Sequence, residues 1–173
     1  METISKAGID DVPELEILVN SAYRGTSSRA GWTTEADYLD GIRIDKEGLE
    51  EMITRKDASL LLLKEQNVIL ACVYLQKQED ELYLGMLTVS PGIQAKGYGK
   101  KLLFASEKYA LSIDCSKILI TVISLRTELI AWYERHGFYL TGEKRPFPDD
   151  PRFGIPKQPL QFVVMKKNLV REI

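Results

Sequence analysis

The sequence has few of the residues from which metal and disulfide sites are usually built. It contains two cysteines, Cys72 and Cys115, and one histidine, His136, in 173 residues. The cysteines form no CxxC pair, so neither a disulfide framework nor a zinc site is predicted. A single histidine also excludes a metal site built from several histidines. We therefore expect a protein that holds no metal ion.

The chain has little net charge and no long apolar run. Its formal net charge of −2 gives no overall basis for binding nucleic acid or a membrane surface. No stretch reaches the roughly 18 apolar residues of a membrane-spanning helix. Residues 1–15 lack the apolar core of a signal peptide. We expect a cytoplasmic protein without nucleic-acid or membrane partners.

The composition is that of an ordinary globular protein, with 45% hydrophobic and 28% charged residues. A chain of 173 residues has about the length of one domain, and it contains no internal repeat or linker. We predict a single domain over residues 1–173.

The spacing of apolar residues predicts helices and strands in alternation. Helices are predicted over 10–24, 46–55, 98–113 and 126–136, with a further helical turn near Thr34. Strands are predicted near Ile4 and over 58–65, 68–76, 81–90, 116–123, 138–143 and 160–167. Residues 146–159 hold five of the seven prolines and are predicted to form a stiff loop. Hairpins and crossover helices together indicate an α/β (α+β) fold with a mixed central sheet flanked by helices.

Gly85 lies inside the strand predicted over residues 81–90. Because glycine weakens a strand, its presence there predicts a bulge or a close backbone approach.

The stretch SPGIQAKGYGKKLL, residues 90–103, has two glycines between a strand and a helix. It does not fit a nucleotide P-loop, since Tyr98 and Gly99 follow Gly97 where Lys and Ser or Thr are needed. It fits a dinucleotide-binding turn poorly, because Leu102 takes the place of the third glycine. A loop of backbone N–H groups that ends in a helix start would bind a pyrophosphate without a metal. A simple turn with solvated lysines is the alternative.

Residues 87–103 resemble the acetyl-CoA signature of the GNAT N-acetyltransferase superfamily, a strand followed by Gln/Arg-x-x-Gly-x-Gly/Ala. Gln94, Gly97 and Gly99 occupy the three positions. The segment AWYERHGF resembles a second family feature, a tyrosine four residues before Gly-Phe, which is Tyr133 here. The order of predicted elements is similar to that of the family over nearly the whole chain.

This resemblance implies a sheet with two splayed core strands, between which the pantetheine arm of acetyl-CoA inserts. It implies acetyl-CoA as co-substrate, and it implies that the pyrophosphate binds to the loop. The implied contacts are Leu87, Thr88 and Val89 on the strand, and Gln94, Ala95, Lys96, Gly97, Tyr98, Gly99 and Lys100 on the loop.

The resemblance also implies that Tyr133 is the general acid that protonates the departing thiolate. The other interpretation is a tyrosine of the core, because neighbouring residues of its helix are apolar. Glu81 could serve as a base through water, or be a solvated carboxylate in a turn. The family's frequent asparagine, seven residues before the tyrosine, is Arg126 here. Cys115 has no evident base beside it, so direct transfer in a ternary complex is the simpler mechanism.

The region between the first two helices is expected to select the acceptor. It contains Trp32, Glu35, Asp37 and Tyr38, an aromatic and acidic set that would suit a cationic amine. An exposed acidic loop is the alternative. We predict acetylation of a primary amine of a small molecule. The other hypotheses are a protein lysine or N-terminal acetyltransferase and a non-catalytic CoA-binding module. The sequence does not decide whether the protein forms a homodimer.

Overall fold

The computed structural model describes residues 1–24, 28, 34–93 and 96–171. Within them lie four α-helices: α1 (Val12–Tyr23), α2 (Lys46–Thr54), α3 (Tyr98–Ser112) and α4 (Thr127–Arg135). The strands are β1 (Glu2–Lys6), β2 (Leu39–Asp40), β3 (Ala58–Glu65), β4 (Val68–Gln78), β5 (Glu81–Val89), β6 (Lys117–Ile123), β7 (Tyr139–Pro146), β8 (Ile155–Pro156) and β9 (Gln161–Asn168). No helix in these ranges is both long enough and apolar enough to span a membrane.

Seven of the strands form one mixed sheet in the order β1-β3-β4-β5-β6-β9-β7. Only β5 and β6 are parallel to each other, while every other neighbouring pair is antiparallel. The predicted α/β (α+β) fold, with a mixed central sheet between helices, is confirmed.

Apolar residues on both faces of the sheet explain the continuous leucine run of β3. Leu60 and Leu62 pack with α1 and α2 in one buried cluster. Leu61 and Leu63 pack in a second cluster, with residues of α3 and α4. Because side chains alternate across a strand, a run of four leucines fits a strand that is covered on both faces.

The parallel pair β5 and β6 separates along its length. The two strands pair only from Glu81–Lys117 to Tyr83–Leu119. Beyond that point β5 continues to pair with β4 as far as Val89, and β6 with β9 as far as Ile123. The sheet therefore opens between the carboxyl halves of β5 and β6, as expected for splayed core strands.

A bulge in β5 lies at the opening. Cys72 of β4 pairs with Thr88, but Tyr74 pairs with Gly85, so Val73 is opposite two residues of β5. The residue with the left-handed backbone is Met86, at φ 52°, and not Gly85. Gly85 is needed for a different reason, since a Cβ there would lie 2.7 Å from the hydroxyl of Tyr83. Of the two features predicted for Gly85, a bulge or a close backbone approach, the structure has the bulge directly after Gly85, while the group that lies close to Gly85 is a side chain.

The proline-rich segment is more ordered than the predicted loop. It contains a 3-10 turn over Pro151–Phe153, and β8 pairs with β2. The helical turn expected near Thr34 is a turn over 36–38 that leads into β2. These two short strands hold the segment 147–160 beside the opening of the sheet.

Candidate active site

The opening between β5 and β6 leads into a cavity of about 350 Å³. Its walls come from β5, from β6, from the end of α1, from α4 and from the proline-rich segment. Residues of the lining used below are Tyr23, Arg24, Glu35, Arg43, Leu87, Arg126, Tyr133 and Asp150.

Tyr133 of α4 lines this cavity and is 6% exposed. Its ring packs edge-on against Trp132 and Phe138, at centroid distances of 5.0 and 5.3 Å. Its hydroxyl has no hydrogen-bonding partner among the described residues. Burial raises the pKa of Tyr133 above its ordinary value, so the phenol stays protonated at neutral pH. Tyr133 is thus a packed residue that can also donate a proton into the cavity.

Tyr23, at the end of α1, connects that helix to the bulge of β5. Its hydroxyl donates a hydrogen bond to the carbonyl oxygen of Leu87. Burial is the main cause that raises its pKa to about 12. Sequence reasoning missed this residue, because nothing in a helix end predicts a bond to a strand 64 residues later.

The start of α3 has the form that a pyrophosphate requires. Gly97 is its cap, with a left-handed φ of 78°, and an added Cβ would meet no atom within 4 Å. The N–H of Lys101 is the first to bond back, to the carbonyl of Gly97. The N–H groups of Tyr98, Gly99 and Lys100 therefore have no partner within the helix, and the helix dipole adds positive potential there. These residues fit the phosphates of acetyl-CoA.

Gly99 lies in the packed part of the helix start, but the space around it would admit a Cβ at ordinary contact distances. The residue is buried, and a Cβ there would lie 3.7 Å from Val89 and 3.8 Å from Trp132. The start of α3 thus packs between the end of β5 and α4.

On the edge of β5 that faces the opening, the carbonyl oxygen of Leu87 accepts the hydrogen bond from the Tyr23 hydroxyl. The N–H of Ser90, directly after β5, bonds to the carbonyl oxygen of Leu70 in β4, at 2.9 Å. Because the direction of backbone groups alternates along an antiparallel strand, the backbone N–H and C=O of Val89 point away from β4, toward the opening. The hydroxyl of Thr88 donates to the carbonyl of Met86, so Thr88 offers the cavity no free side chain.

Burial limits which atoms of the residues predicted to contact acetyl-CoA can do so. The ring of Tyr98 is 4% exposed and packs in the core, which leaves its backbone N–H at the helix start. Lys96 and Lys100 are exposed beside that helix start. Gln94 and Ala95 lie outside the described residues. All these contacts stay predictions.

Glu81 lies away from the cavity. Its carboxylate accepts a hydrogen bond from the ammonium of Lys166 at 2.7 Å, at the end of β5 that pairs with β6. The bulge at Met86 is five residues further on, about 16 Å along the strand. The geometry thus does not bring Glu81 and Tyr133 together.

The predicted acceptor residues have different surroundings. Glu35 lines the cavity, but its carboxylate accepts hydrogen bonds from Nε and Nη2 of Arg24, at 3.1 and 2.9 Å. Tyr38 packs in a small apolar cluster with Leu39 and Leu160. Asp37 is exposed, and Trp32 lies outside the described residues. Whether these residues contact the acceptor stays a prediction.

We expect Glu35→Gln to lower the free energy of unfolding by about 3 kcal/mol, because it leaves the guanidinium of Arg24 buried without its counter-charge. Urea unfolding of both proteins measures this. Glu50→Gln, on the exposed face of α2, is the matched control and should change stability by less than about 0.5 kcal/mol. Equal stability of Glu35→Gln and the parent protein would contradict a structural role for the pair.

Two further arginines of the lining were not predicted as site residues. Arg126 directly precedes α4 and is 2% exposed, and its N–H bonds to the carbonyl of Ile123. The guanidinium carbon of Arg43 lies 5.6 Å from the centroid of the Tyr23 ring. The departure from the asparagine of the similar family was the available signal for Arg126.

Neither cysteine contributes a nucleophile to the cavity. Cys72 and Cys115 are buried free thiols that are not part of its lining. Burial raises the pKa of both, for Cys72 to about 12, which disfavours the thiolate. Direct transfer stays the simpler mechanism.

Comparison with known proteins agrees with this geometry. Residues 18–138 match the acetyltransferase (GNAT) family. No curated protein sequence matches the chain. Among solved structures, the ribosomal-protein-S18-alanine N-acetyltransferase from Escherichia coli has a TM-score of 0.73 at 17% identity, covering 100% of this chain and 97% of that one.

Two further solved structures share the fold. The ribosomal-protein-alanine N-acetyltransferase from Brucella melitensis has a TM-score of 0.71 at 19% identity, covering 96% of this chain and 99% of that one. An N-acetyltransferase from Staphylococcus aureus Mu50 has a TM-score of 0.74 at 14% identity, covering 99% of each chain. At these identities the likeness is one of fold.

Proposed function

Because the chain belongs to the GNAT family of acetyltransferases and so uses acetyl-CoA as acyl donor, we propose that it acetylates a primary amine of a small molecule. The observation that carries this proposal is the opening between β5 and β6. It leads from the start of α3 to a buried, protonated tyrosine, Tyr133. We also propose that residues 1–173 work as one domain.

The chain offers separate groups for binding and for proton transfer. Backbone N–H groups at Tyr98, Gly99 and Lys100 bind the phosphates, and the edge of β5 at Leu87 and Val89 binds the pantetheine arm. Bound there, acetyl-CoA supplies an activated thioester. Tyr133 donates its phenolic proton to the sulfur as the C–S bond breaks and a new C–N bond to the acceptor forms. The nitrogen carries two protons after the attack and loses one of them to solvent, and the phenolate of Tyr133 takes up a proton from solvent in turn.

The acceptor amine has to lose a proton to become a nucleophile. Both carboxylates of the described cavity lining are bound to arginines, Glu35 to Arg24 and Asp150 to Arg152. We therefore propose that the amine loses its proton to solvent and reacts in its neutral form. The value of kcat/KM should then rise with pH up to the pKa of the amine.

We propose a small acceptor because the volume of the cavity is small. About 350 Å³ lies in the range of pockets that enclose small ligands. The alternative is a protein N-terminus, which the names of the E. coli and Brucella proteins favour. We propose a cytoplasmic location, consistent with two free, buried cysteines.

An acceptor screen tests the function directly. Release of free CoA from acetyl-CoA is measured with a panel of small primary amines and with peptides that begin with alanine or contain lysine. We expect turnover with small amines that Gly97→Glu abolishes. Faster turnover of the peptides would contradict the small acceptor, and acetyl-CoA binding without turnover of any amine would contradict catalysis.

A further inference from the structure

Among the described residues that line the cavity, positive charges outnumber negative charges. The lining carries the guanidinium groups of Arg24, Arg43 and Arg126 against the carboxylates of Glu35 and Asp150. Glu35 is held by Arg24, and Asp150 by Arg152, which lies outside the lining. A purely cationic acceptor would therefore enter a wall that offers it no net attraction.

Arg43 and Arg126 lie near the same part of the cavity, although 83 residues separate them. Arg43 stacks over the ring of Tyr23, and the positive charges of both arginines oppose the effect of burial on the pKa of that phenol. Tyr23 in turn bonds to Leu87, at the opening of the sheet. The two arginines thus line the same cavity as Tyr23, and the guanidinium of Arg43 lies over the ring of that residue.

Arg126 lines the same cavity as the proposed acid, Tyr133. It stands immediately before α4, and its charge acts on the pKa of Tyr133 against the larger effect of burial. An anion bound by Arg126 and Arg43 would therefore lie in the same cavity as Tyr133.

We propose that Arg43 and Arg126 bind a carboxylate of the acceptor, and hence that the acceptor is an amino acid or another amine that carries a carboxylate. Guanidinium is suited to this task, because its planar donors pair with the two carboxylate oxygens and it stays charged. The acceptor's amine is then directed toward Tyr133. This inference rests on the proposed function, since it names the substrate class of that site.

Matched pairs of acceptors test the inference. The standard L-amino acids are compared with their α-amides, which keep the amine and side chain but lose the carboxylate. We expect the best amino acid to exceed its amide at least tenfold in kcat/KM at equal concentrations of the neutral amine. Most of the difference should appear in KM, because the carboxylate is bound in ground and transition states alike.

Substitution of the two arginines tests whether they cause the preference for the carboxylate over the amide. Arg43→Gln and Arg126→Gln should each raise KM for the amino acid about tenfold or more and leave turnover of the amide within about threefold. Arg55→Gln, at an exposed arginine bound to Asp57 outside the lining, is the matched control and should change neither. If Arg126→Gln fails to fold, Arg43→Gln alone decides, since Arg43 is only half-buried.

A binding experiment separates failure of this inference from failure of catalysis. N-acetyl amino acids and their amides are titrated into the protein saturated with CoA. A preference for the carboxylate that Arg43→Gln abolishes supports the anion subsite even if no amine is turned over. Equal binding of acid and amide, binding of neither, or equal effects of Arg43→Gln on both would overturn it.

Discussion

Gly97→Glu is expected to weaken the binding of acetyl-CoA by at least about 100-fold, which corresponds to roughly 3 kcal/mol. The glycine caps α3, and a Cβ there would point into open space and not into the protein. A glutamate side chain would therefore not disrupt packing but would stand at the helix start. There its carboxylate would compete with the phosphates for the N–H groups and repel their charge. Isothermal titration calorimetry with acetyl-CoA measures the effect.

Gly142→Glu is a close control for this change. Gly142, in β7, also has a left-handed backbone, with φ 86°, and an added Cβ there would meet nothing within 4 Å. Both variants thus gain the same charge and a similar backbone strain of about 1 kcal/mol. Only Gly97→Glu should lose acetyl-CoA binding. Unchanged affinity in that variant would mean that the phosphates bind elsewhere.

Tyr133→Phe is expected to lower kcat by on the order of 100-fold, because general acid catalysis contributes effects of about this size. The affinity for acetyl-CoA should stay within about threefold. Since the hydroxyl makes no hydrogen bond with the described residues, the free energy of unfolding should change by less than about 1 kcal/mol. Steady-state kinetics and urea unfolding measure the two effects separately.

Tyr109→Phe is the matched control for the loss of a phenolic hydroxyl. Tyr109 lies on α3 outside the cavity lining, and its hydroxyl bonds to Ser59. This variant should be fully active. If Tyr133→Phe is fully active as well, Tyr133 is a core residue and not the general acid.

The raised pKa of Tyr133 also predicts how kcat depends on pH if Tyr133 is the general acid. A group with a raised pKa keeps its proton until the pH passes that value, so the acid is present well beyond the range in which ordinary tyrosine titrates, near pH 10. In the wild-type protein kcat should therefore not fall between pH 7 and about pH 10. A falling limb in this range would indicate an acid with a lower pKa than that of buried Tyr133.

Local patterns were sufficient to predict most of the elements that form the sheet. The leucine run of β3 and the helical spacing in α3 are read from residues that are neighbours in the chain. Gly97 has a left-handed backbone that favours glycine, and this local requirement helped to make the start of α3 recognisable in the sequence. The splayed strands followed from the family resemblance, and the pairing of β5 with β6 agrees with it.

The charges of the cavity depend on contacts between distant residues, which no local pattern contains. Glu35 has an acidic neighbourhood in the sequence, but in the fold Arg24 binds it. Glu81 and Lys166 are 85 residues apart and form an ion pair at the closed end of β5. Arg43 and Arg126 line one cavity only because α1, α4 and β5 pack around one opening. Sequence reasoning predicted an acidic wall, whereas the described residues of the cavity lining carry three arginines and two carboxylates.

The most direct test of the central claim is amide hydrogen exchange with and without acetyl-CoA. If the opening between β5 and β6 receives the co-substrate, exchange should slow at Leu87 and Val89 and at the start of α3, residues 98–100. The paired end of β5, residues 81–83, already bonds to β6 and should be unaffected. Protection at another surface, with none at these two segments, would contradict the claim that acetyl-CoA binds in the opening of the sheet.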